Sequence, residues 1–142
     1  MRSPLGSPAA GVDRPKPRIA LGIAAIAGAQ LVTAALILLT PRWFFDHIGT
    51  FGAYNVHYLR DAGAMTLGAG LALVASLKWR VLRAGALATN LAIIVVHAVN
   101  HWVDIGNAHA GSDAGISGAV SLTLFAGFTA AVTLAATKRG DA

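Results

Sequence analysis

The residues of this chain whose types and spacing could do chemistry lie in two short stretches. In the first, His57 and Asp61 are four residues apart. In the second, His97 and His101 are also four residues apart, and Asp104 follows three residues later. Residues separated by three or four positions share one face of an α-helix. Each stretch therefore predicts a helical face that combines imidazole with carboxylate.

A metal ion is one ligand that such faces suit. If the two faces meet, His57, Asp61, His97 and His101 converge on one site. Three imidazoles and a carboxylate suit tetrahedral Zn²⁺, and two histidines with one carboxylate suit non-haem iron. The predicted cofactor is thus a divalent metal, Zn or Fe, at these four residues.

Other ligands suit the same groups. A quinone head group or a polar lipid could use His and Asp as proton partners. Haem held by two histidines is disfavoured by the crowding of a small helical protein, and transport by the absence of charge deeper than His97. In each case Arg60 and Asp104 would lie at the rim, and Asn55 and Asn100 would complete hydrogen bonds to the ligand.

A purely structural role is the alternative. Arg60 would then pair with Asp104, Asp61 would accept hydrogen bonds from histidine or Tyr58, and the network would only hold two helices together. Ionisable groups inside a membrane usually find partners, since exposing them to lipid is costly. The residue types alone therefore leave a ligand site and a packing network open.

Several enzyme classes are excluded. The chain has no Cys, which excludes thiolate nucleophiles, disulfides and Cys-ligated metal centres. The segment from His97 to His101 has the histidine spacing of zinc peptidases, but Ala98 stands where the general-base Glu belongs. No complete catalytic signature remains.

The elements that must position these residues are apolar helices. The chain is 56% hydrophobic and only 12% charged, against about half apolar and a quarter charged in soluble proteins. Apolar segments of about 20 residues suffice to cross a bilayer. The sequence predicts an all-α integral membrane four-helix bundle with helices at about 19–39, 56–77, 84–103 and 114–137.

The second segment is the least apolar of the four. Its uncharged core, from Ala62 to Leu77, is short for a span, so the helix must begin earlier and include His57 and Asp61. Residues 42–56 before it mix aromatic, glycine and charged residues, which predicts an interfacial loop.

Lys and Arg predict the orientation. Nine of the eleven lie in the first tail (residues 1–18), the second loop and the last tail (residues 138–142), against Arg42 and Arg60 near the first loop. Positive residues favour the cytoplasmic side, so both termini are predicted to be cytoplasmic, with 1–18 a disordered basic tail. Because the positive charges are dispersed between apolar segments, the net charge of +5 does not indicate nucleic acid.

Helix packing is predicted to use small residues and buried amides. Membrane helices approach closely where Gly, Ala and Ser line up. One such row is Ala64, Gly68, Ala72 and Ser76, and another is Gly127, Ala131 and Ala135; both are expected to serve packing within the protein rather than a dedicated dimer face. Gln30 and Asn90 are expected to form hydrogen bonds between helices. Oligomeric state is left open.

The start of the second helix carries a family resemblance. Its pattern Asn-x-His-x-x-Arg-Asp-x-Gly, from Asn55 to Gly63, is followed by a small-residue helix, a basic turn and His97-x-x-x-His101. In these features residues 19–137 resemble the DoxX-like small bacterial membrane proteins. The resemblance implies a four-helix protein of the bacterial cytoplasmic (inner) membrane and, for the family's namesake, a link to quinol-oxidising respiratory complexes.

Two functional hypotheses follow. The first is a ligand-binding or redox-accessory membrane protein with an outward-facing site at the His and Asp residues. The second is a non-enzymatic membrane subunit in which those residues only lock helix packing. In both, the expected partners are membrane lipids and respiratory or other membrane subunits.

Overall fold

The structure, a computed structural model, describes residues 14–49, 51–107 and 112–138. Its described elements are the helices α1 (Pro17–Leu39), α2 (Pro41–His47), α3 (Val56–Lys78), α4 (Arg80–Val103) and α5 (Ser112–Lys138), with a 3-10 turn over Ile105–Asn107. The predicted all-α class is confirmed. Most of the predicted tails, residues 1–13 and 139–142, lies outside the described residues.

Two stretches predicted as loops are helical. Residues 41–47 of the predicted interfacial loop form α2, which begins with Pro41 at its first position, where a proline ring costs no hydrogen bond. The predicted basic turn over residues 78–83 shrinks to Trp79, whose extended backbone (φ −112°, ψ 106°) alone separates α3 from α4. Arg83 is therefore a helical residue.

The long helices run antiparallel to their neighbours. Along α3, Gly63 packs against Ile37 of α1 and Gly70 packs against Leu31, so residue numbers rise on one helix as they fall on the other. A Cβ at Gly63 would lie 2.8 Å from Ile37 Cγ2. These two glycines allow the close approach of α1 and α3.

Two hydrogen bonds show that α4 packs against both α3 and α5. Asn90 Nδ2 of α4 donates to the Ala69 carbonyl of α3 at 3.3 Å, and Trp102 Nε1 donates to Thr123 Oγ1 of α5 at 2.9 Å. Since α4 is antiparallel to α3, and α3 to α1, the helices α1 and α4 run in the same direction. The start of α1, the end of α3 and the start of α4 share one end of the molecule.

Charge divides the two ends. We call the end holding residues 14–18, 78–83 and 138 the basic end, because it carries seven of the nine described Lys and Arg residues. All four described carboxylates lie toward the opposite end, which we call the acidic end: Asp46, Asp61, Asp104 and Asp113. The apolar core lies nearer the basic end and consists of Ile19, Ile23, Ile26, Ala27, Leu73, Ala86, Leu87, Val132 and Ala136.

Three of the described helices are long and apolar enough to cross a membrane: Pro17–Leu39, Arg80–Val103 and Asp113–Lys138. Their length and composition indicate a membrane protein. Helix α3 has a comparable length of 23 residues but does not qualify, because charged residues begin and end it and three glycines dilute its apolar segment.

Two buried amides join the helices in the interior, as predicted. Gln30 Nε2 of α1 donates to Asn90 Oδ1 of α4 at 2.9 Å, and Asn90 Nδ2 also donates to the Ala86 carbonyl at 3.0 Å. Asn90 is fully buried and Gln30 nearly so. The Asn90 amide thus joins α1, α3 and α4 midway along the helices.

Candidate functional site

A row of polar residues follows one face of α4. Arg83, Asn90, His97 and Asp104 recur every seven residues, a spacing that shifts position around a helix by only about 20°. Arg83 and Asn90 are buried, while His97 and Asp104 near the acidic end are exposed. The face that packs inward at the basic end therefore opens at the acidic end, where the histidines lie.

Arg83 closes the inner part of this row. Its Nε donates to the Ser76 carbonyl at 3.1 Å, in the last turn of α3, and the side chain is 1% exposed. Helix ends leave carbonyls without partners and carry partial negative charge, so a cation there is stabilising. We therefore assign Arg83 a structural role.

His97 and His101 form the closest pair of ionisable groups on α4. Their Nε2 atoms lie 3.1 Å apart, and their ring centroids are separated by 4.9 Å with the planes tilted by 52°. Neutral imidazoles at this distance form one hydrogen bond, in which one Nε2 donates and the other accepts.

His101 is held from two sides. The Phe51 ring meets it edge-on at 4.3 Å between centroids. On α5, Gly118 leaves the room that the ring occupies, since a Cβ there would lie 3.1 Å from His101 Nδ1. Packing therefore restricts the rotation of this imidazole.

The Nδ1 atom of His101 is buried and has no hydrogen-bond partner among the described residues. A buried polar atom without a partner costs about 1–3 kcal/mol. Such atoms are uncommon in folded proteins and often belong to functional sites. This orphaned nitrogen is the unusual feature of the pair.

His57 and Asp61 form a separate pair on α3. His57 Nε2 lies 3.5 Å from an Asp61 carboxylate oxygen, and their side chains are 85% and 56% exposed. Asn55 begins this helix, because its Oδ1 accepts the backbone N–H groups of His57 and Tyr58 at 3.1 Å each. Asn55, which was predicted to complete hydrogen bonds to a ligand, thus uses its side-chain oxygen as a helix cap.

The remaining predicted site residues are also exposed. Arg60 forms no ion pair with Asp104, so the pairing expected for a purely structural network is not made. Asp104 Oδ1 instead accepts a hydrogen bond from Asn107 Nδ2 at 3.2 Å. Asn100 is exposed, and its carbonyl accepts the Asp104 N–H.

The predicted residues consequently fall into two pairs instead of one cluster. Within residues 14–49, 51–107 and 112–138, no three His, Asp or Glu side chains lie close enough together to hold a metal ion. His97 and His101 are brought together; His57 and Asp61 do not join them. The metal and ligand roles of all these residues stay predictions.

A cavity lies beside the His pair, on the other side of Phe51. Its volume is about 330 Å³. The lining residues come from α2, α3 and the segment between them: Phe45, Gly49, Phe51, Ala53, Asn55, Tyr58, Leu59 and Ala62. It is largely apolar, and Phe51 both lines it and contacts the His101 ring.

Sequence reasoning overlooked Phe51 and Gly118. Neither stands near His101 in the chain, and aromatic residues in interfacial segments are common. The burial of Arg83 had a sequence signal, namely its seven-residue spacing from Asn90.

The comparisons with known proteins bear on none of these residues. No family model, no curated protein and no solved structure matches the chain. The resemblance to DoxX-like proteins accordingly stays a prediction, and the site must be judged on its own geometry.

Proposed function

We propose that this chain is a four-span protein of a bacterial cytoplasmic membrane, with both termini in the cytoplasm. We further propose that His97 and His101 bind a divalent transition-metal ion, or a small polar ligand in its place, near the outer surface. On this proposal the protein is an accessory component rather than a complete enzyme.

The direction of the helices supports α3 as the fourth span. Helices α1 and α4 run the same way, and both are long and apolar enough to cross a membrane. If both cross, the chain must return between them, and α3 is the helix that leads back. Its 23 residues give a length of about 35 Å, sufficient for about 30 Å of hydrocarbon.

The spacing of the two Nε2 atoms supports a metal ion. With metal–nitrogen bonds of about 2.05 Å, the 3.1 Å separation corresponds to a nitrogen–metal–nitrogen angle of about 98°. That angle lies between the octahedral and tetrahedral values, so one ion could bind both nitrogens with little movement. Metal binding would replace the hydrogen bond between the rings.

The number of ligands supports an exchangeable site. Two imidazoles leave positions for water, a substrate or a partner's side chain, as in sites where chemistry or transfer occurs. No third ligand lies within reach of the pair among the described residues, so a carboxylate would have to come from a rearrangement of Asp104 or from a partner. Such a set of two histidines and one carboxylate suits iron as well as zinc.

The fixed position of the His101 ring, with its Nε2 3.1 Å from that of His97, is the observation that carries the proposal. Histidines that bind metal usually donate their second ring N–H to a partner, which fixes the tautomer. Here the second nitrogen is buried without one, while Phe51 and Gly118 hold the ring with Nε2 toward His97. Restricting the ring by packing would replace the usual hydrogen bond.

Metal analysis tests this proposal. Protein without a polyhistidine tag, purified in detergent without chelators, is expected to contain about one Zn or Fe per chain and to lose it in the His97→Ala, His101→Ala double variant. The matched control is His57→Ala, which removes an imidazole from the other i,i+4 pair and should keep the metal. Metal-free wild-type protein that also fails to bind added Zn²⁺ or Co²⁺ would overturn the metal site.

A second candidate function is the non-enzymatic membrane subunit. It is favoured by the exposure of His57, Arg60 and Asp61 on α3, because ionisable groups in a span normally face protein instead of lipid. A partner subunit would cover them. Under this candidate His101→Ala lowers the free energy of unfolding without any change in bound ligand, and Asp61→Ala releases a co-purifying subunit.

A further inference from the structure

A second cavity lies at the basic end, in the groove between the start of α1 and the end of α3. Its volume is about 500 Å³. It is lined by Arg14, Pro15 and Pro17, which we call its mouth, and by Ala20, Leu21, Ala24 and Leu77, which we call its floor. We call it the α1–α3 groove. From Pro17 to Ala24 it follows the helix for about 10 Å.

The groove combines a charged mouth with an apolar floor. Leu21 is 72% exposed, so the floor is an open apolar surface of a helix long enough to span a membrane. Arg14 stands above it, and Lys78 directly follows Leu77 of the floor. A molecule that matches both parts has an anionic head and a hydrocarbon chain.

Among the described residues, the end of the molecule that holds the groove carries more positive than negative charge. Seven described Lys and Arg side chains lie at the basic end, whereas the described carboxylates all lie toward the acidic end. Helix α1 has no acidic residue in its first turn, and the side chain of its N-cap residue, Lys16, makes no capping hydrogen bond. The positive end of its dipole thus adds to the basic field, which an anion would offset.

We infer that the α1–α3 groove binds an anionic glycerophospholipid, with its phosphate at Arg14 and Lys78 and an acyl chain along Ala20, Leu21 and Ala24. Basic pockets between membrane helices are suited to such head groups. Trp79 directly follows Lys78, is half exposed, and has its ring centroid 5.1 Å from the Lys78 ammonium. Tryptophan favours the head-group zone of a membrane, which is where the phosphate would lie. The inference requires only that the chain lies in a membrane; it depends neither on the His pair nor on the orientation.

Native mass spectrometry of the full chain in non-ionic detergent tests this site. Phosphatidylglycerol and phosphatidylcholine with identical acyl chains would be titrated separately, and the bound-lipid peaks compared. We expect phosphatidylglycerol to bind at least fivefold more tightly. Arg14→Gln should weaken its binding about fivefold, the effect of one cation near an anionic lipid.

Two steric variants separate a defined groove from general charge attraction. Ala24→Phe fills the floor without changing the charge and should abolish the phosphatidylglycerol preference. The control Ala35→Phe adds the same bulk eleven residues later on the same face of α1, at an equally exposed position, and should bind as wild type. Arg42→Gln is the charge-matched control at the acidic end and should also leave binding unchanged.

The alternative sources of phosphate are distinguished in the same experiment. Inorganic phosphate should not displace the lipid, because it makes no contact with the apolar floor. Equal binding of the two lipids, displacement by inorganic phosphate, or wild-type binding by Arg14→Gln or Ala24→Phe would each overturn the inference.

Discussion

Replacing Asn90 by Leu tests whether buried amides hold the helices together. The substitution removes two interhelical hydrogen bonds, one from Gln30 Nε2 and one to the Ala69 carbonyl. Such bonds contribute about 0.6 kcal/mol each on average in membrane proteins. The stranded Gln30 amide, nearly buried, adds about 1–3 kcal/mol. We expect the free energy of unfolding to fall by about 2–4 kcal/mol.

A double-mutant cycle isolates the contact between the two side chains. Gln30→Met keeps the shape of the side chain and removes only its hydrogen bond to Asn90 Oδ1, so it should cost about 1 kcal/mol. The double variant should lose less free energy of unfolding than the two single variants together, because the Gln30 amide that Asn90→Leu leaves without a partner is then absent. The expected coupling energy is about 0.6–1.7 kcal/mol.

Reversible unfolding from detergent micelles by added sodium dodecyl sulfate, followed by tryptophan fluorescence, measures these energies. Asn100→Leu is the matched control: the same change on the same helix at an exposed position, where an effect within about 0.5 kcal/mol is expected. If Asn90→Leu unfolded like the control, or if the cycle gave no coupling, the assignment of the amide cluster as the joint between α1 and α4 would be refuted.

Two other predictions concern packing and topology. Gly63→Ala should destabilise the protein by about 1–3 kcal/mol, because the added Cβ would lie 2.8 Å from a side chain of α1. The control Gly68→Ala should be tolerated, because nothing lies within 4 Å of its Cβ. Equal effects of the two substitutions in the same unfolding assay would contradict the close approach of α1 and α3. Because the chain has no cysteine, single cysteine substitutions can be labelled in intact cells with a membrane-impermeant maleimide. Ile48→Cys and Asn107→Cys should react from outside the cell, and Val81→Cys should react only after the membrane is permeabilised. Labelling of Ile48→Cys and Val81→Cys from the same side would mean that α3 does not cross the membrane.

The long helices could be predicted from sequence because each depends on a local property. The chain has four apolar segments of about 20 residues, separated by charged residues and Pro41. The ends of these segments lie within a few residues of the observed helix ends. The buried amides were recognisable because polar groups at mid-helix must find partners. Small-residue rows were less informative: Gly68 and Gly127 face open space, while Gly63 and Gly70 make the close contact with α1.

The arrangement of the candidate site could not be predicted in the same way. Periodicity shows which residues share a face of one helix, but it does not give the rotation of that helix against its neighbours. The two histidine pairs were expected to meet. They do not, because α3 packs mainly along α1 and α4 mainly along α5, which leaves His57 and Asp61 exposed on a different surface.

The sequence by itself determined the all-α class, the approximate positions of the four long helices and the division of charge between the two ends, since hydropathy and charge act along the chain. The tertiary structure alone decided that His101 lies between Phe51 and Gly118 with an unpartnered nitrogen, and that Arg83 is buried against the end of α3. These contacts join residues between 7 and 50 positions apart in the chain. Which distant side chains meet depends on how whole helix surfaces fit together, and local sequence patterns carry no information about that fit.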